Sequence, residues 1–520
     1  MSSPAIIVVG AAVLFAVALL VLLMRIWWEL EVGLFPGPNV QATHTPPGRA
    51  RSESTVAVNP RNEENLVGAS KRFFDLDTYL FDLVPIFSFD GGRTWEDSAL
   101  PMEPGWDGMT DPTLAFDGGG RAYLIGEPLV HQPSSPNEKL RGLGMFAFRS
   151  LDGGRTWERV GRLSSDKEDD KQWVVCDTHR WSPYRGNVYV FWGAGGAPLE
   201  FARSTDHGVT WIGVGGQPSP SALTPFGAEA PDHAVSPDGT LHVFWCEGAR
   251  INYLRSVDGG NSFAPRRTVA ERLTPLGAPA LQEIGSWPHF DHASFRVRTF
   301  ASSCTGNDGL VAVAWADMRE GHSRVYYRRS LDYGATWEGP EEGQLLLNLA
   351  ADQRHCFHPQ LQATANGVVG CAFYSFGPES DGGHRIRLQA TASWDDAATF
   401  PELVTVTDRP WDPALHAPEL DEVPGVTFIG EYFGFDTGND TLVLLWTDTR
   451  TGFQELWSDV VETVRIRRRR LPTLIVQILT GVIQDGGGLV LIGGKLIRIP
   501  PRSPVTAVIE KLAAKVGNRG

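Results

Sequence analysis

Six copies of one turn motif constrain this chain more than anything else in it. They are Ser88–Trp95 (SFDGGRTW), Ser150–Trp157 (SLDGGRTW), Ser204–Trp211 (STDHGVTW), Ser256–Phe263 (SVDGGNSF), Ser330–Trp337 (SLDYGATW) and Ser393–Phe400 (SWDDAATF). The template is S-x-D-x-G-x-T-W, and successive copies begin 52 to 74 residues apart. A period of that length belongs to propeller blades or solenoid units. Each position has a task in a β-turn. The Asp accepts hydrogen bonds from N–H groups of its own turn, and the Gly supplies a positive φ without steric penalty. The closing aromatic begins the next strand and can pack between neighbouring sheets.

On these six motifs the chain resembles the Asp-box (BNR repeat) β-propellers of the sialidase type. The resemblance implies an all-β propeller. Length alone would suggest three or four domains in 520 residues, but propellers run long as one domain. From about Asn39 to Thr463 the sequence divides into seven units, each with a short strand followed by an apolar one. The apolar strands are Asn65–Ala69, Arg121–Ile125, Asn187–Trp192, Thr240–Trp245, Leu310–Trp315, Val368–Tyr374 and Thr441–Trp446. Runs this rich in Val, Leu, Phe, Trp and Tyr suit buried strands. The seventh unit, Phe428–Val461, has no box and only three strand-like segments. Val40–Thr45 can supply its fourth strand and close the ring. Seven blades of four strands are expected, with the six of true sialidases as the alternative.

Three regions follow: an anchor over 1–33, the propeller over 34–464 and a basic C-terminal module over 465–520. Ile6–Met24 is a run of 19 residues without a charge, long enough to span a bilayer. Without a basic start or a small-residue cleavage site it reads as a retained anchor, with Trp27 and Trp28 at the headgroups. Arg25 points to a cytoplasmic body, whereas the family resemblance implies an extracytoplasmic one. The tail from Arg465 carries +9, which leaves −24 on the remaining residues. An acidic body excludes nucleic acid as its ligand. The tail itself reads as a membrane-surface element or a helix docked on the propeller. It continues into a Gly-rich hairpin (Gly486–Ile499) and an amphipathic helix from Pro504 to about Val516, giving a small α+β module.

Five scattered cysteines form neither a disulfide framework nor a zinc pair. The histidines of HFDH (His289–His292) and RHCFH (Arg354–His358) lack metal-ligand spacing, so no metal or cofactor is expected.

Propeller geometry then nominates ligand residues. The boxes occupy the turns between third and fourth strands. The opposite face collects the turns after second strands and the starts of first strands. After second strands stand Arg72, Glu127, Glu247, Arg250, Asp317, Arg319, Glu379, Asp448 and Arg450; near first-strand starts stand Glu53, Asp111, Asp177, Asp232, Arg298, His358 and Glu431. Asp317/Arg319 and Asp448/Arg450 repeat as W-x-D-x-R, which reads either as an Arg-lined funnel for a carboxylate or sugar or as a brace within each loop.

The sialidase resemblance implies three substrate-holding arginines, a Tyr nucleophile activated by a Glu, and an Asp acid/base. It assigns Arg319 and Arg450 as clamps and Asp111 as the acid/base. The first-blade R-I-P arginine has no counterpart in Glu53–Ala57, and adjacent Glu431 and Tyr432 should point to opposite faces of a strand. A membrane-anchored module binding a glycan or protein at its funnel is therefore the leading expectation. An exo-acting glycoside hydrolase of sialidase type is the alternative.

Overall fold

The computed structural model describes residues 28–468, 489–492 and 495–498, apart from 47, 78, 132–139, 165–168, 194–196, 226–228, 277–281, 285–286, 350–351 and 421–424. Two compact units emerge: Gly33–Thr463, and a second made of the segments before and after it.

The first unit is a seven-bladed propeller. Blade one pairs Arg51–Val58, Leu66–Phe73, Phe81–Ser88 and Glu96–Asp97 in antiparallel order. Blades two to six repeat the pattern, with first strands Gly108–Phe116, Trp173–Cys176, Glu229–Val235, Ala301–Thr305 and His355–Ala363. Blade seven contains Gly434–Thr437, Thr441–Asp448 and Glu455–Arg468. Its fourth strand is Val40–Gln41, which pairs with Trp457 and Ser458, so the start of the body closes the ring as expected. Buried Glu455 secures this closure by accepting hydrogen bonds from the hydroxyls of Thr43 and Thr45.

Each box folds as its composition demands. In the first, Asp90 Oδ1 accepts from Thr94 N at 2.9 Å and Oδ2 accepts from the Thr94 hydroxyl at 2.7 Å. The same pair of bonds recurs in the other five boxes, with Ser262 replacing Thr in the fourth. These bonds hold the six aspartates below the usual carboxylate range, against the upward pull of desolvation. The closing aromatics bridge blades. Trp95 packs against the cluster that includes Val443, Leu445 and Leu456 of blade seven and donates to Ser458 Oγ at 3.0 Å, and Trp157 donates to Ser98 Oγ of blade one at 3.2 Å. The five cysteines are free thiols, and four of them are buried.

The remaining expectations fall differently. Ile6–Met24 and the C-terminal helix from Pro504 lie outside the described residues, and no helix among the described residues is long and apolar enough to cross a membrane. Trp28 begins a strand, Trp28–Phe35, that pairs with the Glu455–Arg468 strand. The glycine-rich hairpin of the tail is present as Leu489–Ile492 against Lys495–Arg498. No α-helix occurs among the described residues.

Candidate functional site

The inner ends of the first strands carry a device that repeats around the ring. In blades one, two, four and six the strand register slips by one residue, between Ser52 and Thr55, Thr110 and Thr113, Glu229 and Asp232, and Phe357 and Gln360. Each bulge holds a non-glycine residue at positive φ: Glu53 (50°), Asp111 (51°), Ala230 (46°) and His358 (48°). Lys171, just before the first strand of blade three, has the same conformation at 52°. Bulges re-aim side chains, and left-handed backbone outside glycine is held only by strong surroundings.

The surroundings here are ionic. Lys71 pairs with Glu53 and lies 2.9 Å from Asp111 Oδ1. Lys171 Nζ stands 2.8 Å from Glu431 Oε2, 3.3 Å from Glu53 Oε1 and 3.7 Å from Asp111 Oδ1. Arg296 reaches Glu431 Oε1 at 2.9 Å, with Arg298 Nε at 4.0 Å. Glu53, Lys71, Asp111, Lys171 and Glu431 are all buried. Burial opposes every one of these charges, yet the neighbouring carboxylates keep Lys71 and Lys171 charged by raising them above the usual lysine range. The same cations, working against burial, hold Glu431 and Asp111 well below the carboxylate range. Glu127 and Asp170 go the other way: desolvation and the nearby carboxylates push both well up. Asp170 is hydrogen-bonded to Asp111, so a carboxyl group pushed up lies beside one held down.

An apolar roof covers this hub. Phe73, Phe81 and Phe428 gather with Leu420 and Val426, and Lys71 Nζ lies 4.8 Å from the Phe81 ring and 5.2 Å from Phe428. Phe428 comes from the link between blades six and seven. That link joins the one between blades four and five, where Thr427 N donates to Ser294 O at 2.7 Å. Beneath the hub lies a cavity of about 20 Å³ bordered by Asp111, Lys171, Asp232, His358 and Glu431. That is room for about one water molecule.

The face carrying the turns between first and second strands is open instead. A central cavity of about 510 Å³ begins there, within the size range of small-ligand sites. Its wall mixes hydroxyl and amide groups, among them Thr113, Ser303, Thr305, Gln360, Gln362 and Asn439, with apolar residues, Trp173, His179 and His233. Asp232 and Asp436 also line it. Burial raises Asp232 to about 7 and Asp436 to about 6, against hydrogen bonds from Ser303 and from the Val58 and Thr437 backbones. In the unfolded chain an aspartate titrates near 4. Folded protein therefore binds a proton at Asp232 more tightly between pH 4 and 7, and that contribution to stability fades as pH rises through this window. Asp232→Asn should abolish it. Denaturant titrations at pH 4.5 and 7.5 should show the variant gaining on the parent at the higher pH; a constant difference would refute the assignment.

The nominated residues thus separate into groups. Asp111, Glu127, Arg298 and Glu431 meet at the hub, and Asp232 faces the central cavity. The two W-x-D-x-R segments are braces. Arg319 pairs through Nε and Nη2 with Asp317 and lies over Tyr326, while Arg450 grips Asp448 in the same manner and also reaches Asp408 and Asn39. Their guanidinium groups are engaged within and beside their own loops, so neither joins Asp111. Arg72 is spent on Asp82, and Glu247 on Arg266 and Asn252. Arg250 is exposed at the start of a strand. Asp177 moves to the other face. The first strand of blade three ends at Cys176, so Asp177 follows that strand rather than starting it, and it caps its own turn through His179 N. Second strands run on to Phe73, His131, Glu247, Asp317, Pro378 and Asp448, so most residues placed after them lie inside long hairpins.

Sequence reasoning missed Lys71, Lys171, Asp170 and Arg296. Lys171 sits in a charged run, E-D-D-K, that looks solvated when read locally. One signal was available: Asp111-Pro112, Ala230-Pro231 and His358-Pro359 place a bulge residue before proline at one phase of the repeat.

Fold and site together define a seven-bladed β-propeller with a sealed ionic hub and an open polar mouth. No protein-family model matches the chain. A xyloglucanase of a Paenibacillus species is 26% identical over 177 residues, which is 31% of this chain and 15% of that enzyme. Xyloglucanase Xgh74A of Acetivibrio thermocellus is 30% identical over 146 residues, 25% of this chain and 16% of the enzyme. The matched stretch is therefore about one sixth of each curated relative. Among solved structures, a protein of unknown function from Dyadobacter fermentans aligns over 83% of this chain and 99% of its own, at 14% identity and a TM-score of 0.43. The leech intramolecular trans-sialidase aligns over 62% and 64%, at 13% identity and a TM-score of 0.40. The architecture of this chain rests on its own strand pairing.

Proposed function

We propose that this protein is a glycan-binding propeller whose ligand enters the open mouth. The observation that carries the reading is the chemistry of that cavity: about 510 Å³, with hydroxyls and amides spread through its wall and the partly buried indole of Trp173 among them. Neutral donors and acceptors beside an aromatic face suit a polyhydroxylated ligand. Acidic side chains outnumber basic ones in the wall, Glu63, Asp232 and Asp436 against Arg180, which favours an uncharged ligand over an anion. The partial likeness to xyloglucanases makes xyloglucan the first polysaccharide to try. Calorimetry with the full chain should give saturable binding to at least one neutral glycan, weakened about tenfold or more in Trp173→Ala. A folded protein that binds none of a panel of neutral and acidic glycans would defeat this reading.

A further inference from the structure

We propose that Trp181, with Arg180, forms an outer subsite on the rim of the mouth, where a glycan chain leaving the central cavity lies across the indole. The proposal rests on the glycan-binding reading above and adds to it the requirement for a chain rather than a single sugar.

Trp181 is 82% exposed, more than any other large apolar side chain described. Leaving an indole in water forgoes the gain of burying its apolar surface, so its exposure calls for a reason. A loose loop would let the ring fold back onto the surface, but this turn is fastened. Asp177 accepts from His179 N at 3.1 Å and from the Ser182 hydroxyl. His179 Nε2 lies 2.8 Å from Val235 O, and Tyr184 donates to Val257 O at 3.3 Å, both in blade four. The Tyr184 ring fills the space above Gly239 and Gly259, where a Cβ would meet it at 2.9 Å and 2.5 Å. Pinned at these points to blade four, the turn holds Trp181 out on a fixed platform.

Its position joins it to the mouth. Thr178, His179 and Arg180 line the cavity, and Trp181 is the next residue outward. The Arg180 guanidinium stands 4.8 Å from the indole centroid and covers one face of it. The other face is left for a ligand. A pyranose offers an apolar C–H face to an aromatic ring and hydroxyl edges to polar groups, which is the pairing that Trp181 and Arg180 present. Rigid, low-entropy aromatic platforms of this kind lengthen a binding site at little ordering cost.

The test compares xyloglucan oligosaccharides of one and three repeats on the full chain. The parent should bind the longer chain about tenfold more tightly. Trp181→Ala should bring the longer chain down to the affinity of the shorter, whereas Trp173→Ala should weaken both. Near-complete exposure makes Trp181→Ala safe for folding, which an unchanged thermal transition would verify. Equal losses on the two lengths, an undiminished preference for length in the variant, or a parent with no such preference overturns the subsite and leaves the central site standing. Failure of the folded parent to bind either length, or any glycan of the panel, overturns the central reading and the subsite together.

Discussion

Lys171→Met should destabilise the propeller by about 3–5 kcal/mol, the range for removing one partner from a buried ionic group. The methionine stem replaces most of the lysine volume, so little of this is packing. The loss is electrostatic. Lys171 Nζ lies within 2.8–3.7 Å of carboxylates on three blades, Glu431, Glu53 and Asp111. Without the ammonium those groups face one another with only Lys71, Arg296 and Arg298 to compensate. Two controls separate this from a general packing defect. Adding Glu431→Gln to Lys171→Met removes an uncompensated charge, so the double variant should be more stable than the sum of the single losses implies. The deficit of Lys171→Met should also shrink as pH falls, because the stranded carboxylates bind protons more tightly in the folded than in the unfolded chain. Denaturant unfolding measures both. A loss under 1 kcal/mol that does not change with pH would show that the hub is not held by this lysine.

Glu455→Ala is expected to cost about 3 kcal/mol and to free the N-terminal closing strand. Glu455 is fully buried, and its two oxygens take hydrogen bonds from Thr45 N, Thr45 Oγ1 and Thr43 Oγ1, residues some 410 positions earlier in the chain. Charge-assisted bonds contribute about 1.5–3 kcal/mol each, and unpaired buried donors carry their own penalty. Because these bonds close the ring, the damage should be local before it is global. Asn39 and Gly37 remain tied to Asp459 at 3.0 Å and 2.8 Å, but the Val40–Gln41 strand loses the support beside it. Limited proteolysis should therefore cut the variant near residues 40–46 while the other blades stay resistant. Glu455→Gln, which keeps one acceptor oxygen, should fall between parent and Ala. Uniform proteolytic resistance in Glu455→Ala would mean that closure does not depend on this carboxylate.

The features legible in the sequence are those whose contacts are local. A box is completed by bonds from Asp90 to Thr94, four residues on, so its eight letters contain its geometry. The W-x-D-x-R brace is likewise internal, with Arg319 folding back two residues to Asp317 and Arg450 to Asp448. Buried second strands announce themselves by unbroken apolar runs such as Val188–Trp192. The hub was half legible. Blade phase brought out Asp111, Arg298 and Glu431 but not their cationic partners, since Lys71 looks like a surface lysine on a hairpin and Lys171 like part of a solvated loop. Asp177 was misplaced because one short strand shifts the phase by a few residues.

What the sequence determined by itself is the blade: its turn, its buried strand and the number of times these recur, all fixed by interactions spanning a few residues. What only the tertiary structure decided is which end of the ring is sealed. Two links between blades cross the hub and bury it under Phe428 and its neighbours, while the opposite mouth stays open beside Trp181. Glu53 and Glu431 stand far apart in the chain yet share Lys171, and no local pattern encodes such a meeting. Charges at that distance in sequence become neighbours only when the ring closes, and burial then makes their pairing obligatory.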